Sequence, residues 1–272
     1  MGFLKMNFYR KKNIIKQCFV EFFGTGLIIF FGTGCVAATK LTDVHFNQFE
    51  ISCIWGLGVS ISIYFSSSIS GAHLNPAITI FLWLSSEFHK RKVLPYIISQ
   101  IFGSFIFTML IYSLYYNSLI SFENQNNITI GTKDSLNLAS IFCVYPNCNN
   151  SFIRNSIIEI FTAALFMIIL SQFNNKKNSK FLYPTFIAPI LIGILVFMIN
   201  LLISPLNNIS LNPARDLGPK IFLSLTGWGM FSFTGGNNNF LYLLIPIIGP
   251  ILGVNLGGWM HKIIIKNDFL KN

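Results

Sequence analysis

Long runs of hydrophobic residues, separated by short polar connections, dominate the chain. Six of these runs approach the ~20 residues that a helix needs to cross the hydrocarbon core of a bilayer. They are Phe19–Ala38, Ile51–Ser70, Val93–Tyr116, Asn155–Phe173, Tyr183–Ser204 and Phe240–Met260. The pattern therefore predicts an all-α membrane protein with six transmembrane helices.

Two shorter apolar stretches, Pro76–Ser86 and Pro213–Leu225, do not fit this description. At ~1.5 Å per residue they would extend roughly 16–20 Å as helices, which is about half of the hydrocarbon core. They are too short to cross, so we predict that they are re-entrant half-helices.

The distribution of charge agrees with six crossings. The chain is 53% hydrophobic and only 10% charged, and its formal net charge is +10. Most of its 19 basic residues fall before the first run, between the second and third, between the fourth and fifth, and after the sixth. These segments share one side of a six-helix protein, and a basic side is typically cytoplasmic.

Charges placed in connections, rather than along one stripe, argue against a nucleic-acid partner. We interpret the basic N-terminal stretch and its apolar run as a retained anchor, not a cleaved leader.

The two halves of the chain repeat the same order of features. Each half has a helix with an early glutamate (Glu21, Glu159), a second helix, an Asn-Pro-Ala half-helix and a third helix. Because three crossings is an odd number, the second half must enter the membrane inverted. We predict a single channel domain over residues 1–272, with repeat one at about 16–116, an extracellular loop at about 117–152 and repeat two at about 153–265.

The repeated tripeptides, Asn75-Pro76-Ala77 and Asn212-Pro213-Ala214, predict where the half-helices begin. Asn is a favoured helix N-cap, and Pro is favoured at the first helical position. Both helices would therefore start at mid-membrane and direct their positive N-terminal ends toward one point. The extended backbone before each Asn lacks helical partners, which a membrane tolerates only beside a watery cavity.

With these motifs the chain resembles the aquaporin superfamily, specifically its aquaglyceroporin branch and the bacterial glycerol facilitators within it. The resemblance is carried by Ile54–Gly58 (IWGLG), Ser70–Ala77 (SGAHLNPA) and Asn212–Pro219 (NPARDLGP). It covers nearly the whole chain, and Asp216 directly after Arg215 is specific to the glycerol branch. It implies a homotetramer in the bacterial inner membrane, with both termini cytoplasmic and one pore per subunit. The expected permeants are glycerol, related small polyols and some water, without ions, protons or a cofactor.

The resemblance also assigns a selectivity filter. Arg215 would donate hydrogen bonds to substrate hydroxyls, and Trp55 would form an apolar wall for the carbon backbone. The second aromatic wall of the family aligns with Ile209, and a small Gly of the family aligns with Asn200. These two departures leave open the largest solute that the pore admits and its ratio of water to glycerol permeability. An ion pair with Asp216 is the structural alternative for Arg215.

The remaining roles follow the symmetry of the two repeats. Asn75 and Asn212 are expected to donate their amides to a passing hydroxyl. The expected acceptors are backbone carbonyls, those of Gly71, Ala72, His73, Asn208, Ile209 and Ser210. Glu21, Glu159 and Asp216 are expected to be scaffold residues, with each glutamate accepting hydrogen bonds from a re-entrant loop.

Other functions stay open at this point. Within the channel class, the alternative is a pore that conducts mainly water, or one for urea or ammonia. An ion-coupled secondary transporter would also have inverted repeats and broken helices, with Glu21 or Glu159 as its titrating group. No nucleophile–base set supports an enzyme, and His73 has no second ligand at metal spacing. Cys143 and Cys148 lie close together in a polar loop, where a disulfide or a metal site is an alternative.

Overall fold

The computed structural model describes residues 13–145, 151–173, 186–235 and 241–269. The six long helices are α1 (Ile14–Leu41), α2 (Gln48–Ser66), α4 (Val93–Leu114), α7 (Phe152–Phe173), α8 (Ala188–Ile203) and α11 (Leu241–Phe269). The shorter α-helices are α3 (Pro76–Leu84), α5 (Tyr116–Gln125), α6 (Leu136–Ala139), α9 (Pro213–Leu223) and α10 (Phe231–Thr234). A π-helical turn, Ser224–Trp228, follows α9.

Five of the described helices are long and apolar enough to cross a membrane, namely α1, α2, α4, α7 and α11. The sixth, α8, is equally apolar, with 16 residues in its described part. The first residues of the predicted fifth span, from Tyr183, lie outside the described residues. Large apolar side chains on the outer helix faces are exposed, including Phe19, Leu57, Phe161 and Leu256. Such a continuous apolar exterior is suited to lipid, so the protein is an integral membrane protein.

The half-helices α3 and α9 begin in the same way. The Oδ1 atom of Asn75 accepts a hydrogen bond from the Ala77 N–H at 2.9 Å, and that of Asn212 accepts from the Ala214 N–H at 3.0 Å. Both Asn residues have extended backbone, and a Pro follows each at the first helical position. The N-cap side chain satisfies a donor that the first turn leaves unpaired, so the tripeptide alone fixes where each helix starts.

The two repeats interlock at the centre of the protein. The first and third long helices of each repeat pack together, α1 on α4 and α7 on α11, while α2 packs on α8. The half-helices cross over, since α9 packs mainly against α4 and α3 mainly against α11. At the α2–α8 contact, a Cβ on Gly56 would lie 2.5 Å from the carbonyl oxygen of Gly193. Only glycine permits this close approach of two helices.

The segment between the repeats is more structured than the sequence predicts. It contains α5 and α6, and its apolar residues form a second core with the outer end of α1 and with Trp228. The third span ends at Leu114 rather than Tyr116. The half-helices also end two residues early, at Leu84 and Leu223. Helix ends are poorly fixed by apolar periodicity, because apolar residues continue into the following turns.

Candidate functional site

The two half-helices meet through a reciprocal pair of hydrogen bonds. The Nδ2 atom of Asn75 donates to the carbonyl oxygen of Leu211 at 2.8 Å. The Nδ2 atom of Asn212 donates to the carbonyl oxygen of Leu74, also at 2.8 Å. Because a side-chain amide has two N–H donors, each Asn retains a second donor beside the junction. The structure thus brings both predicted tripeptides to one point.

The residue before each Asn has an unusual backbone. Leu74 and Leu211 have φ angles of 50° and 56°, in the left-handed region that branched side chains rarely adopt. Each strained peptide is held from two sides. The N–H of Leu74 donates to Glu21 Oε2, and the N–H of Leu211 donates to Glu159 Oε1, both at 2.7 Å. The carbonyl groups accept the Asn amides described above, so the neighbouring contacts determine the conformation.

The two glutamates are buried and occupy equivalent places in the repeats. Glu21 also accepts from the His73 N–H at 3.0 Å and from Gln100 Nε2 at 2.8 Å. Glu159 accepts from the Ser210 N–H with both carboxylate oxygens, at 3.1 and 3.0 Å. The carboxylates therefore hold the two re-entrant loops to the long helices by several hydrogen bonds each.

The His73 side chain is enclosed among neighbouring side chains. Its Nδ1 atom lies 3.2 Å from Thr79 Oγ1, and its ring packs against Phe88 and Tyr96 with centroid distances of 4.5 and 5.0 Å. Among the described residues, no group of three or more His, Cys, Asp or Glu side chains lies close enough to hold a metal ion. The ring braces the first re-entrant loop by packing.

A cavity of about 350 Å³ runs past the junction. One wall is formed by the two re-entrant loops, and the predicted carbonyl residues line it: Gly71, Ala72, His73, Asn208, Ile209 and Ser210. Within the described part of the chain, no donor is bonded to the carbonyl oxygens of these six residues. The opposite wall is apolar and includes Ile28, Ile63, Ile192 and Val196. The cavity is therefore amphipathic along its length.

Trp55 and Arg215 both line this cavity and contact each other. The guanidinium carbon of Arg215 lies 4.9 Å from the centroid of the Trp55 ring, which is cation–π geometry. Gly32 lies against the indole, where a Cβ would come within 2.3 Å of the ring. The Nη1 atom of Arg215 is buried without a hydrogen-bond partner among the described residues. The structure places a cationic donor beside a flat apolar surface.

Asn200 and Ile209, the two departures from the family pattern, also line the cavity. The backbone carbonyl of Asn200 accepts a hydrogen bond from Gln48 Nε2 at 3.3 Å. Ile209 packs against the main hydrophobic core at the cavity wall. All four residues assigned to the filter by resemblance therefore border the same space.

Asp216 does not bind Arg215 closely. The nearest approach, from Asp216 Oδ1 to Arg215 Nη1, is 3.9 Å. Asp216 Oδ1 instead accepts from the Val144 N–H at 2.6 Å, and Oδ2 lies 2.5 Å from Lys220 Nζ. Sequence reasoning missed Lys220, although its i,i+4 spacing from Asp216 on a short helix was a usable signal.

A second lysine missed by sequence reasoning fixes the outer segment. Nζ of Lys40, near the end of α1, donates to the carbonyl oxygen of Asn137 at 2.8 Å, to Asn137 Oδ1 at 2.7 Å and to Ser140 Oγ at 2.8 Å. Lys40 and Ser140 both line the cavity. The outer mouth is thus built partly from the segment between the repeats.

Cys143 lies in the same outer segment and is a buried, free cysteine. Burial raises the pKa of its thiol to about 12, so the group is neutral at physiological pH and suited to packing. Cys148, with which a disulfide or a shared metal site was the alternative, lies outside the described residues.

A bundle of membrane-crossing helices, with two opposed half-helices beside one amphipathic cavity, is a membrane channel of the aquaporin type. The sequence comparison gives the family. The model described as "Major intrinsic protein" matches residues 8–261. The chain belongs to this family.

Two relatives and one solved structure illustrate the similarity. The chain is 73% identical over 263 residues to the glycerol uptake facilitator protein of Buchnera aphidicola subsp. Acyrthosiphon pisum (strain APS), covering 97% of this chain and 100% of that protein. It is 45% identical over 249 residues to the glycerol uptake facilitator protein of Escherichia coli (strain K12), covering 92% and 88%. The X-ray structure of the aquaglyceroporin from Plasmodium falciparum superposes with a TM-score of 0.79 at 22% identity, covering 93% of this chain and 97% of that chain. This last likeness supports the fold.

Proposed function

We propose that the protein is a passive channel for glycerol and related small uncharged polyols, with some water, that excludes ions and protons. The observation that carries this proposal is the amphipathic cavity. Along one wall lie six carbonyls that accept no hydrogen bond within the described residues, and apolar side chains form the other wall. A polyol has hydroxyl groups along one edge and CH groups along the other, so it matches both walls at once. Relatives named for glycerol uptake support the same substrate class.

The filter is formed by Trp55, Asn200, Ile209 and Arg215. Arg215 donates to solute hydroxyls, while the Trp55 ring contacts the carbon backbone. Ile209 retains an apolar surface where the family has an aromatic ring, and Asn200 adds a polar side chain. A fixed positive charge at this level also repels cations.

Beyond the filter, the solute passes the junction of the half-helices. Asn75 and Asn212 each offer the amide N–H that the junction leaves free, and the six carbonyls accept hydrogen bonds from the solute hydroxyls one after another. The N-terminal ends of α3 and α9 carry partial positive charge and both face this point, which disfavours hydronium and metal cations. Glu21 and Glu159 hold the loops in place and do not touch the solute.

The proposed assembly is a homotetramer in the bacterial inner membrane, with one pore per subunit and both termini in the cytoplasm. Exposed apolar faces on the long helices are suited to contacts with lipid and with other subunits. The basic residues at Lys90, Arg91 and Lys92 support the cytoplasmic assignment of that connection.

A solute panel on proteoliposomes tests the substrate class. Shrinkage and re-swelling are followed by light scattering with glycerol, a five-carbon polyol, urea and a non-permeant osmolyte for water. We expect glycerol to re-swell the vesicles much faster than protein-free liposomes, and faster than the five-carbon polyol. Rapid water or urea movement without glycerol movement would contradict the proposal.

A further inference from the structure

Asp216 lies between two cationic side chains inside the protein. Its side chain and that of Lys220 are buried, with exposures of 0% and 2%, while that of Arg215 is 14% exposed toward the cavity. Lys220 is not among the residues that line the cavity, and its ammonium also approaches the Tyr145 ring at 5.4 Å. Three charged groups therefore share a small space just behind the constriction.

Both carboxylate oxygens of Asp216 already have hydrogen-bond partners. Oδ1 accepts the Val144 N–H at 2.6 Å, and Oδ2 is held by Lys220 at 2.5 Å. Arg215 Nη1 remains 3.9 Å from Oδ1 and makes no hydrogen bond to the described residues, although it is buried. An unpaired buried guanidinium nitrogen beside a carboxylate is an unstable arrangement unless something restrains the carboxylate.

We infer that Lys220 is a positioning residue for the constriction, because it prevents Asp216 from binding Arg215. With Asp216 neutralised by Lys220, the Arg215 guanidinium stays over the face of Trp55. Its remaining donors stay available to the solute. This inference rests on the proposed function, since it explains how the filter keeps a donor free for hydroxyl groups.

Removing the Lys220 charge should redirect Arg215. In Lys220→Met, Oδ2 of Asp216 loses its partner, and the carboxylate gains a close ion pair with Nη1. The guanidinium is then drawn from the Trp55 ring toward the protein interior. The excess positive charge of the Arg215–Asp216–Lys220 group also falls from one to zero. Water needs no fixed donor of this kind, so the permeability to the polyol should fall more than the permeability to water.

The experiment compares glycerol and water permeability in proteoliposomes containing wild type, Lys220→Met and the double variant Asp216→Asn/Lys220→Met. The glycerol-to-water ratio is expected to fall about tenfold in Lys220→Met, the size of effect given by one lost charge-assisted hydrogen bond. It is expected to recover to within about twofold of wild type in the double variant, because the amide that replaces the Asp216 carboxylate carries no charge to attract Arg215.

The matched control is Lys262→Met, which removes a different lysine ion pair, at 3.0 Å to Glu87, away from the cavity. Its glycerol-to-water ratio should stay at the wild-type value. If Lys220 served only to hold the outer segment through Asp216, the glycerol-to-water permeability ratio would fall equally in the single and double variants. That result would overturn the inference. If Lys220→Met does not fold, the double variant still decides. A glycerol-to-water permeability ratio within about twofold of wild type in the double variant supports the inference, and a ratio that has fallen about tenfold contradicts it.

The outcome for wild type separates this inference from the proposed function. If wild type conducts no glycerol, the proposed substrate class is wrong. The single and double variants are then compared with whichever hydroxyl or amide solute does permeate. A difference between them still supports the positioning role of Lys220, and equal permeabilities would overturn it.

Discussion

At the scale of single residues, Asn75 and Asn212 each have three tasks. The Oδ1 atom of each caps a half-helix, one amide N–H binds the opposite re-entrant loop, and the second N–H remains beside the cavity. No other side chain of similar size supplies one acceptor and two donors in this geometry. An Asp has no donor at neutral pH, and a Ser has a single hydroxyl. The junction therefore requires Asn at both positions.

Ile209 is one of the two positions of the proposed filter that depart from the family pattern. We expect Ile209→Phe to narrow the cavity and to slow a five-carbon polyol at least about tenfold more than glycerol, because the two solutes differ by two carbons and one methylene-sized group already gives about tenfold discrimination in a tight pocket. Light scattering with both solutes measures the ratio. The control is Ile209→Leu, which preserves volume. Equal slowing of the two solutes would show that Ile209 does not limit solute size.

Glu159 is expected to act on the structure of the loop rather than on the solute. Glu159→Gln leaves one acceptor oxygen for the N–H groups of Ser210 and Leu211, and it introduces a donor that has no acceptor there. A buried donor without a partner costs ~1–3 kcal/mol, so the thermal unfolding temperature in detergent should fall. The control is Asp43→Asn on the exposed connection between α1 and α2. Unchanged stability together with altered ion dependence of transport would favour the transporter alternative.

At the scale of elements, a motif of three residues predicts the start of a half-helix better than periodicity predicts its end. Asn75 and Asn212 cap α3 and α9 as predicted, because capping is a local interaction. The contacts of α9 with α4, and of α3 with α11, involve residues far apart in the chain. Sequence patterns contain no direct signal for such pairings. The sequence analysis also gives no prediction of α5 and α6, because both helices are short and their buried residues belong to a core formed with distant elements.

The outer segment that contains α6 depends on one lysine. Lys40→Met removes three hydrogen bonds to Asn137 and Ser140, so residues 136–145 should open more often. We expect amide hydrogen exchange in this segment to accelerate about tenfold or more, since each charge-assisted bond contributes ~1.5–3 kcal/mol. The control is Lys133→Met, an exposed lysine of the same segment. Similar exchange rates in both variants would mean that other contacts hold the segment.

At the scale of the whole molecule, two inverted repeats place one cavity on their shared axis. Gly56 and Gly193 allow α2 and α8 to approach closely, and they occupy equivalent positions in the two repeats. The membrane fold, the repeat and the meeting of the half-helices were all predictable, because each depends on residue type and spacing. The Asp216–Lys220 pair has a spacing that the sequence shows, but the hydrogen bond from Val144 to Asp216 was not predictable, since it joins two distant segments through geometry that spacing does not specify.

The central claim is that this cavity conducts a neutral solute without coupling to ions. The measurement that tests it most directly is glycerol uptake by proteoliposomes under an imposed glycerol gradient, with and without ionophores that collapse proton and sodium gradients. We expect fast uptake that is the same in both conditions, because the positive ends of α3 and α9 and the charge of Arg215 exclude cations. Glycerol uptake that disappears when the ion gradients collapse would contradict it.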